Sequence, residues 1–254
     1  MSRRTAVIFG LLLIAALALA PLPGEAQGAP TADSVAAHVQ QALGGKDAWD
    51  KTHFIRFTFA GRRTHTWDKW TGRHRVEGDT KEGQHYVILE NINTKEGSAW
   101  LAGQKQEGEK AAEFLKNGYG AWVNDTYWLL MPYKIKDPGV NLSYAGEETI
   151  DGKTYDKLAL SFGQVGLTPG DRYWAYINRE TGLMDRWAYI LESMPKDGPP
   201  TAWLWDGWQK YGNIMLAPHR TQVGSPDRKL ELGDIAVLDQ VPDSVFTSPE
   251  PVAK

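Results

Sequence analysis

The sequence predicts a mainly β fold of the α+β type, an antiparallel meander with a few helices. Three observations point there. From Phe54 onward, "HFIRFTFAGRRTHTWDKWTGRHRVEGD" sets Phe and Ile against Arg and Thr with the period of two that a strand with unlike faces requires. Turn signals recur at short intervals, at Thr71 and Gly72, Asp151 and Gly152, Pro169 and Gly170, and Thr181 and Gly182. Only two stretches carry the stripe of an amphipathic helix.

The first is "TADSVAAHVQQALGG", where Val35, Val39, Ala42 and Leu43 share a face behind a Thr or Asp cap, and Gly44 and Gly45 end the helix. Strands follow from Phe54. The second stretch, "EGEKAAEFLKNGYGAWVNDTYWLLMP", places Ala111, Phe114, Leu115 and Trp122 on one stripe. Gly118 and Gly120 each weaken a helix by about 1 kcal/mol relative to alanine, so a bend or break is expected there. Asn124, Asp125 or Thr126 would then cap a second short helix, which Pro132 limits. After Pro138 the alternating segments resume through "VNLSYAGEETIDGKTYDKLALSF", "DRYWAYINRETGLMDRWAYILE", "TAWLWDGWQKYGN", "IMLAPHRTQV" and "RKLELGDIAVLDQ".

The amino-terminal stretch "MSRRTAVIFGLLLIAALALAPLPGEA" has the basic start, apolar run and small-residue end of a secretory signal peptide. The expected organisation is a signal peptide over 1–26, a single domain over 27–248 and a disordered tail over 249–254, with a periplasmic or secreted mature protein that does not span a membrane. Removing residues 1–26 turns 28 basic and 31 acidic residues into 26 and 30, so nothing suggests a nucleic-acid partner. The absence of cysteine excludes disulfides, thiolate metal sites and a cysteine nucleophile. It also excludes a lipid-modified cysteine behind the signal peptide.

The aromatic residues carry the most functional information. If the turn of "DRYWAYINRETGLMDRWAYIL" is centred between Thr181 and Gly182, Tyr176 lies opposite Trp187 and Trp174 opposite Tyr189, a four-membered aromatic patch on one face. An odd-length turn would break that register. Both faces of the hairpin are apolar and "TAWLWDGW" adds Trp203, Trp205 and Trp208, so each face needs a cover. The run from Trp122 to Tyr133 is a candidate cover. Trp and Tyr bring polar groups that a dry core satisfies poorly, and eleven Trp with ten Tyr against seven Phe suit the lining of a half-wet cavity as well as a core. The candidate ligand-binding residues are therefore Trp122, Tyr127, Trp128, Leu130, Met131, Trp174, Tyr176, Trp187, Tyr189, Trp203 and Trp205. The ligand would be a lipid-like amphiphile or a stacked glycan.

Chemistry leaves a fainter trace. His65 and His74 could face each other across a hairpin, with His85 on the next strand, as a weak metal site or as solvent-facing strand histidines; no metal site is assigned. No GxSxG elbow or phosphate loop is present, and Asp171, Asp185 and Asp206 beside arginines or aromatics read as turn and surface charges rather than a glycosidase pair. No catalytic residue and no cofactor is expected. Arg63, Arg73 and Arg75, with Arg62, could form a basic strip that receives a phosphate or carboxylate head group, or could guard an edge strand.

Together "GGKDAWDK", "NDTYWLLMPYKIKDPGV", "YINRETGLMDRW", "YGNIMLAPHRT" and "VPDSVF" make the chain from Gly44 to Phe246 resemble the LolA/LolB-like superfamily of outer-membrane lipoprotein-sorting proteins, most closely an uncharacterised secreted bacterial family within it. The resemblance implies a strongly curved, open half-barrel of about eleven antiparallel strands, with helices filling and lidding its concave face over an apolar cavity for acyl chains. It further implies lipid or lipidated-protein cargo and a delivery partner at the outer or inner membrane. The expected function is that of an exported carrier or binding protein, with a lid from Thr126 to Met131. A glycan-binding protein is the alternative and a carboxylate-dependent hydrolase a more distant one.

Overall fold

The computed structural model describes residues 29–163 and 165–252, so the expected signal peptide lies outside the described residues. Helix α1 (Ala32–Ala42) begins on a capping box in which the Thr31 and Ser34 side chains accept from each other's backbone N–H. Gly44 and Gly45, both at positive φ, turn the chain into the short α2 (Lys46–Lys51). A meander follows: β1 (Phe54–Phe59), β2 (Arg63–Asp68), β3 (Arg73–Asp79), β4 (His85–Asn91), β5 (Glu96–Leu101) and β6 (Gln104–Lys105). The long α3 (Gly108–Lys134) leads to a second meander of β7 (Val140–Ile150), β8 (Lys153–Phe162), β9 (Arg172–Asn178), β10 (Met184–Ile190) and β11 (Thr201–Asp206). A ribbon of β12 (Gln209–Tyr211) and β13 (Ile214–Leu216), then β14 (His219–Gln222), β15 (Ser225–Leu238) and α4 (Ser244–Thr247), complete the chain.

Strand β15 joins the two meanders, pairing with β1 on one side and β14 on the other. The result is one curved antiparallel sheet of 13 strands, in the order β6-β5-β4-β3-β2-β1-β15-β14-β11-β10-β9-β8-β7. Its edges, β6 and β7, do not meet, so the sheet is an open half-barrel rather than a closed barrel. The sheet has thirteen strands, where the resemblance implies about eleven; two of them, β6 with two residues and β14 with four, are short.

Helices α1 and α3 cover one face of the sheet, here the inner face. Beneath them lie two neighbouring apolar clusters, one around Leu158, Ile177, Trp187 and Trp205, the other around Ile55, Phe57, Leu129 and Leu216. On the outer face, Phe54 packs against Val245 and Phe246 of the carboxy-terminal segment. Arg75 lies beneath this segment and donates to the carbonyls of Val245, Ser248 and Glu250. The tail expected to be disordered from 249 thus has its first residues anchored by a buried arginine.

Helix α3 corrects the expectation of a bend or break at Gly118 and Gly120 followed by a second short helix. It is continuous through Gly118, Gly120 and Pro132. Gly118 faces β4, where an added Cβ would lie 2.9 Å from Glu90 Oε1 and 3.0 Å from Ile88 Cγ2, so the glycine sets the helix-to-sheet distance. Gly118→Ala is expected to destabilise by about 1–2 kcal/mol in chemical denaturation, because overpacking outweighs the propensity gain. A stability increase would show that the helix has room to move outward. Pro132 has no N–H, which leaves the Trp128 carbonyl without its helical donor. Arg220 Nη2 supplies the missing bond at 2.6 Å.

The β9–β10 hairpin corrects the predicted register. A bulge between Met184 and Arg186 sets Tyr176 opposite Arg186, Trp187 opposite Ala175 and Tyr189 opposite Tyr173. The extra residue, Asp185, accepts from Asn178 Nδ2 at 2.9 Å. A shift of one residue moves every later side chain to the other face. The four-membered patch therefore does not form. Trp187 and Tyr189 point inward, whereas Trp174 and Tyr176 join Tyr155 and Ala188 on the outer face.

Candidate functional site

The inner face of β9–β11 and the last turns of α3 build a continuous aromatic interior. Trp128, projecting from α3, meets Trp187 at 4.7 Å, Trp203 at 5.2 Å and Tyr189 at 6.3 Å, with interplanar angles of 71°, 87° and 85°. Tyr127 reaches Tyr173 and Trp187 beside it. Edge-to-face contacts of this kind favour rings through their quadrupoles. They do not present the row of coplanar faces that sugar stacking needs. Burial pushes the Tyr127 and Tyr173 phenols far above their usual range, so both stay neutral donors.

Nine of the eleven predicted ligand-binding residues lie on this inner side. Tyr127, Trp128, Met131, Trp187, Tyr189, Trp203 and Trp205 belong to one cluster, while Trp122 and Leu130 pack in the neighbouring one. Trp174 and Tyr176 do not join them. The Nε1 donors of Trp67, Trp122, Trp187 and Trp205 are buried without a hydrogen-bond partner among the described residues. A small pocket of about 40 Å³ lies between α1 and α3 beside Leu43, Trp49 and Tyr133, and a wider groove of about 470 Å³ opens on the outer face beside Arg56, Thr66 and Val252.

The predicted arginine strip divides between faces. Arg63 points inward to Asp125 of α3, with Nε to Oδ2 at 2.5 Å and Nη2 to Oδ1 at 2.7 Å. Arg73 points outward and pairs with Asp68 and Asp243, and Arg75 is fully buried beside Glu77. All three guanidinium groups are engaged within the protein. Adjacent strands at positions two apart share a face, but Arg63 lies opposite Gly78 whereas Arg75 lies opposite Thr66, one residue out of step.

His65 and His74 do meet, inside a buried polar chain. His65 Nε2 contacts Asp125 Oδ2 at 2.8 Å, His65 Nδ1 contacts His74 Nε2 at 2.9 Å, and His74 Nδ1 contacts Glu90 Oε1 at 3.0 Å. Three contacts between acceptor-capable atoms need three protons. Burial pushes His65 down to about 4 against the pull of Asp125, so it is neutral near pH 7 and brings one proton, which goes to the carboxylate. Burial works against the Asp125 charge, yet bonds from His65 and Arg63 hold its pKa below the ordinary carboxylate value. His74 then donates to His65 through Nε2, and its Nδ1 faces Glu90. With Arg63 the chain ties α3 to β2, β3 and β4. His85 stays apart, beside Asp79.

Asp125 and Glu90 escaped the sequence reading. The available signal was Asp125 between Trp122 and Leu129 on one helical stripe, where an unpaired carboxylate would be costly.

This network predicts acid sensitivity. A histidine whose pKa is lowered on folding contributes stability in full above its unfolded value, near 6.5, and loses that stability as pH falls through about 4. The His65 contribution is about 3 kcal/mol. Asp125, also lowered, adds a further loss below its unfolded value. Unfolding free energy measured from pH 7 to pH 4 should fall by about that amount, and the slope should flatten in His65→Phe; equal slopes in both proteins would remove His65 as its source.

Of the other candidates, Asp171 accepts from Thr168, Tyr173 and the Glu192 N–H as a turn anchor, Asp185 serves the bulge, and Asp206 is exposed. Among the described residues no group of three or more His, Asp or Glu side chains is arranged to hold a metal, and no helix is long and apolar enough to cross a membrane.

Comparison with known proteins gives a family of unknown function, DUF6503, whose model matches residues 88–198. No curated protein matches the chain. Among solved structures, the chain is similar to a DUF1329 family protein from Desulfovibrio piger, with 13% identity, a TM-score of 0.46, and 86% of this chain and 99% of that one covered. It is also similar to a LolA superfamily protein from Nitrosomonas europaea, with 12% identity, a TM-score of 0.40, and coverage of 87% and 99%. A domain described as an outer membrane lipoprotein-sorting protein, from Vibrio parahaemolyticus, matches at 8% identity and a TM-score of 0.42, with coverage of 83% and 95%.

Proposed function

We propose that the protein is an exported binding or carrier protein for an amphiphile with an acyl chain, a lipid or a lipidated protein, held between α3 and the inner face of the sheet. The observation that carries this reading is the aromatic interior itself. Trp128, Trp187, Tyr189 and Trp203 form one contiguous surface, and the buried Nε1 donors of Trp187 and Trp205 have no acceptor among the described residues. An unpaired buried donor costs about 1–3 kcal/mol, which an ester or hydroxyl oxygen of a ligand would recover. Each methylene buried beside it would add about 0.8 kcal/mol. Leu129, Leu130 and Met131 are fully buried, so α3 closes this interior and must shift for cargo to enter. The edge-to-face rings favour chains over sugars.

The test is native mass spectrometry of the mature protein from the compartment to which it is exported, with extraction of any bound molecules. Stoichiometric phospholipid or acylated peptide is the expected result. A protein that arrives empty and gains no mass with added lipid would overturn the proposal.

A further inference from the structure

We propose, resting on the reading above, that the cargo carries a carboxylate or phosphate head group and that Arg220 is its anchor. Arg220 is fully buried on the inner face, with its guanidinium carbon 3.4 Å from the centroid of the Trp205 ring. Among the described residues it makes no ion pair and its Nε has no partner. Its Nη1 donates to the carbonyls of Ala217 and His219 at 2.8 Å each, and its Nη2 donates to the carbonyl of Trp128. Every acceptor is a neutral backbone oxygen. Arg75, the other fully buried arginine, has the Glu77 carboxylate at 2.6 Å. Burial pulls the Arg220 pKa well down, and the charges of Asp206 and Glu231 oppose the shift only in part.

A buried cation without a counter-ion is unfavourable on its own, and an anion placed against it makes shorter, stronger hydrogen bonds than carbonyls do. The position suits that exchange. Arg220 lies between Trp205 and Trp128, so an anion bound to it would direct an attached chain towards Trp187 and Trp203. The bond that a head group would displace, from Arg220 to the Trp128 carbonyl, exists because Pro132 leaves that carbonyl free. Releasing it breaks no helical hydrogen bond but leaves the Trp128 carbonyl without a donor, so the charge-assisted bonds to the anion must outweigh that loss.

The experiment compares laurate, dodecyl phosphate and glycerol monolaurate, all below micelle formation, by titration of tryptophan fluorescence and native mass spectrometry. The wild-type protein is expected to bind the anions about tenfold more tightly than the neutral monoester, and the better of laurate and dodecyl phosphate identifies the head-group class. Arg220→Gln, verified as folded by circular dichroism, should lose the preference while still binding the chain. Equal binding of all three by the wild type would overturn the anion anchor and leave the carrier reading standing, and so would a preference that persists in Arg220→Gln. Binding of none would overturn both. Where Arg220→Gln fails to fold, Arg220→Lys takes its place, and an anion preference unchanged from the wild type would overturn Arg220 as the anchor.

Discussion

Asp125→Ala is expected to lower the unfolding free energy by about 3–5 kcal/mol, because removing one member of a buried charge network leaves the rest uncompensated. The carboxylate is fully buried and receives bonds from both Arg63 and His65. Without it, His65 retains only His74, and Arg63 loses its sole ion-pair partner among the described residues. Arg63 is 30% exposed and can regain water, which places the expected loss nearer 3 kcal/mol. Arg63→Ala should cost less, since His65 still satisfies Asp125. Urea unfolding of the three proteins measures this, and a loss below about 1 kcal/mol for Asp125→Ala would mean that the network contributes little to holding α3 on the sheet.

Trp187→Ala should have an effect of similar size. Trp187 is 1% exposed and touches Tyr127, Trp128, Tyr173, Tyr189 and Trp205, so it stands at the centre of the aromatic interior. Truncating a buried large aromatic costs about 3–5 kcal/mol through lost transfer energy and the cavity left behind. The denaturation midpoint should fall at unchanged slope. The truncation also enlarges the proposed binding space, so affinity for a bulkier chain should rise or hold while stability falls. A stability change under about 1 kcal/mol would show that Trp187 lies in a loosely filled region and contributes little to the core.

The strands themselves were legible because each local segment has one dominant period. The alternation after Phe54 yields β1 to β4, and the capping residue Thr31 with the glycine pair at 44 and 45 bounds α1 closely. These are short-range effects of sterics and hydrogen bonding, which neighbouring residues settle by themselves. The presence of an aromatic surface, and its cover by the stretch that ends in "NDTYWLLMP", could likewise be read from composition and spacing.

What the sequence by itself determined, then, was an antiparallel meander with few helices and an unusually aromatic set of inward candidates. Tertiary structure alone decided which face each aromatic occupies, because one bulged residue in β10 reverses the facing of Trp187 and Tyr189 relative to Trp174 and Tyr176. It also decided that α3 runs unbroken: Gly118 is favoured by close approach to β4, and Arg220, 88 positions after Pro132, supplies the bond that the proline removes. The buried network is divided: His65, His74 and Glu90 meet through the pairing of β2, β3 and β4, whereas Asp125 joins them only when α3 docks. Long-range contacts of this kind depend on partners whose sequence separation carries no periodic signal, so their energies enter only once the chain has folded.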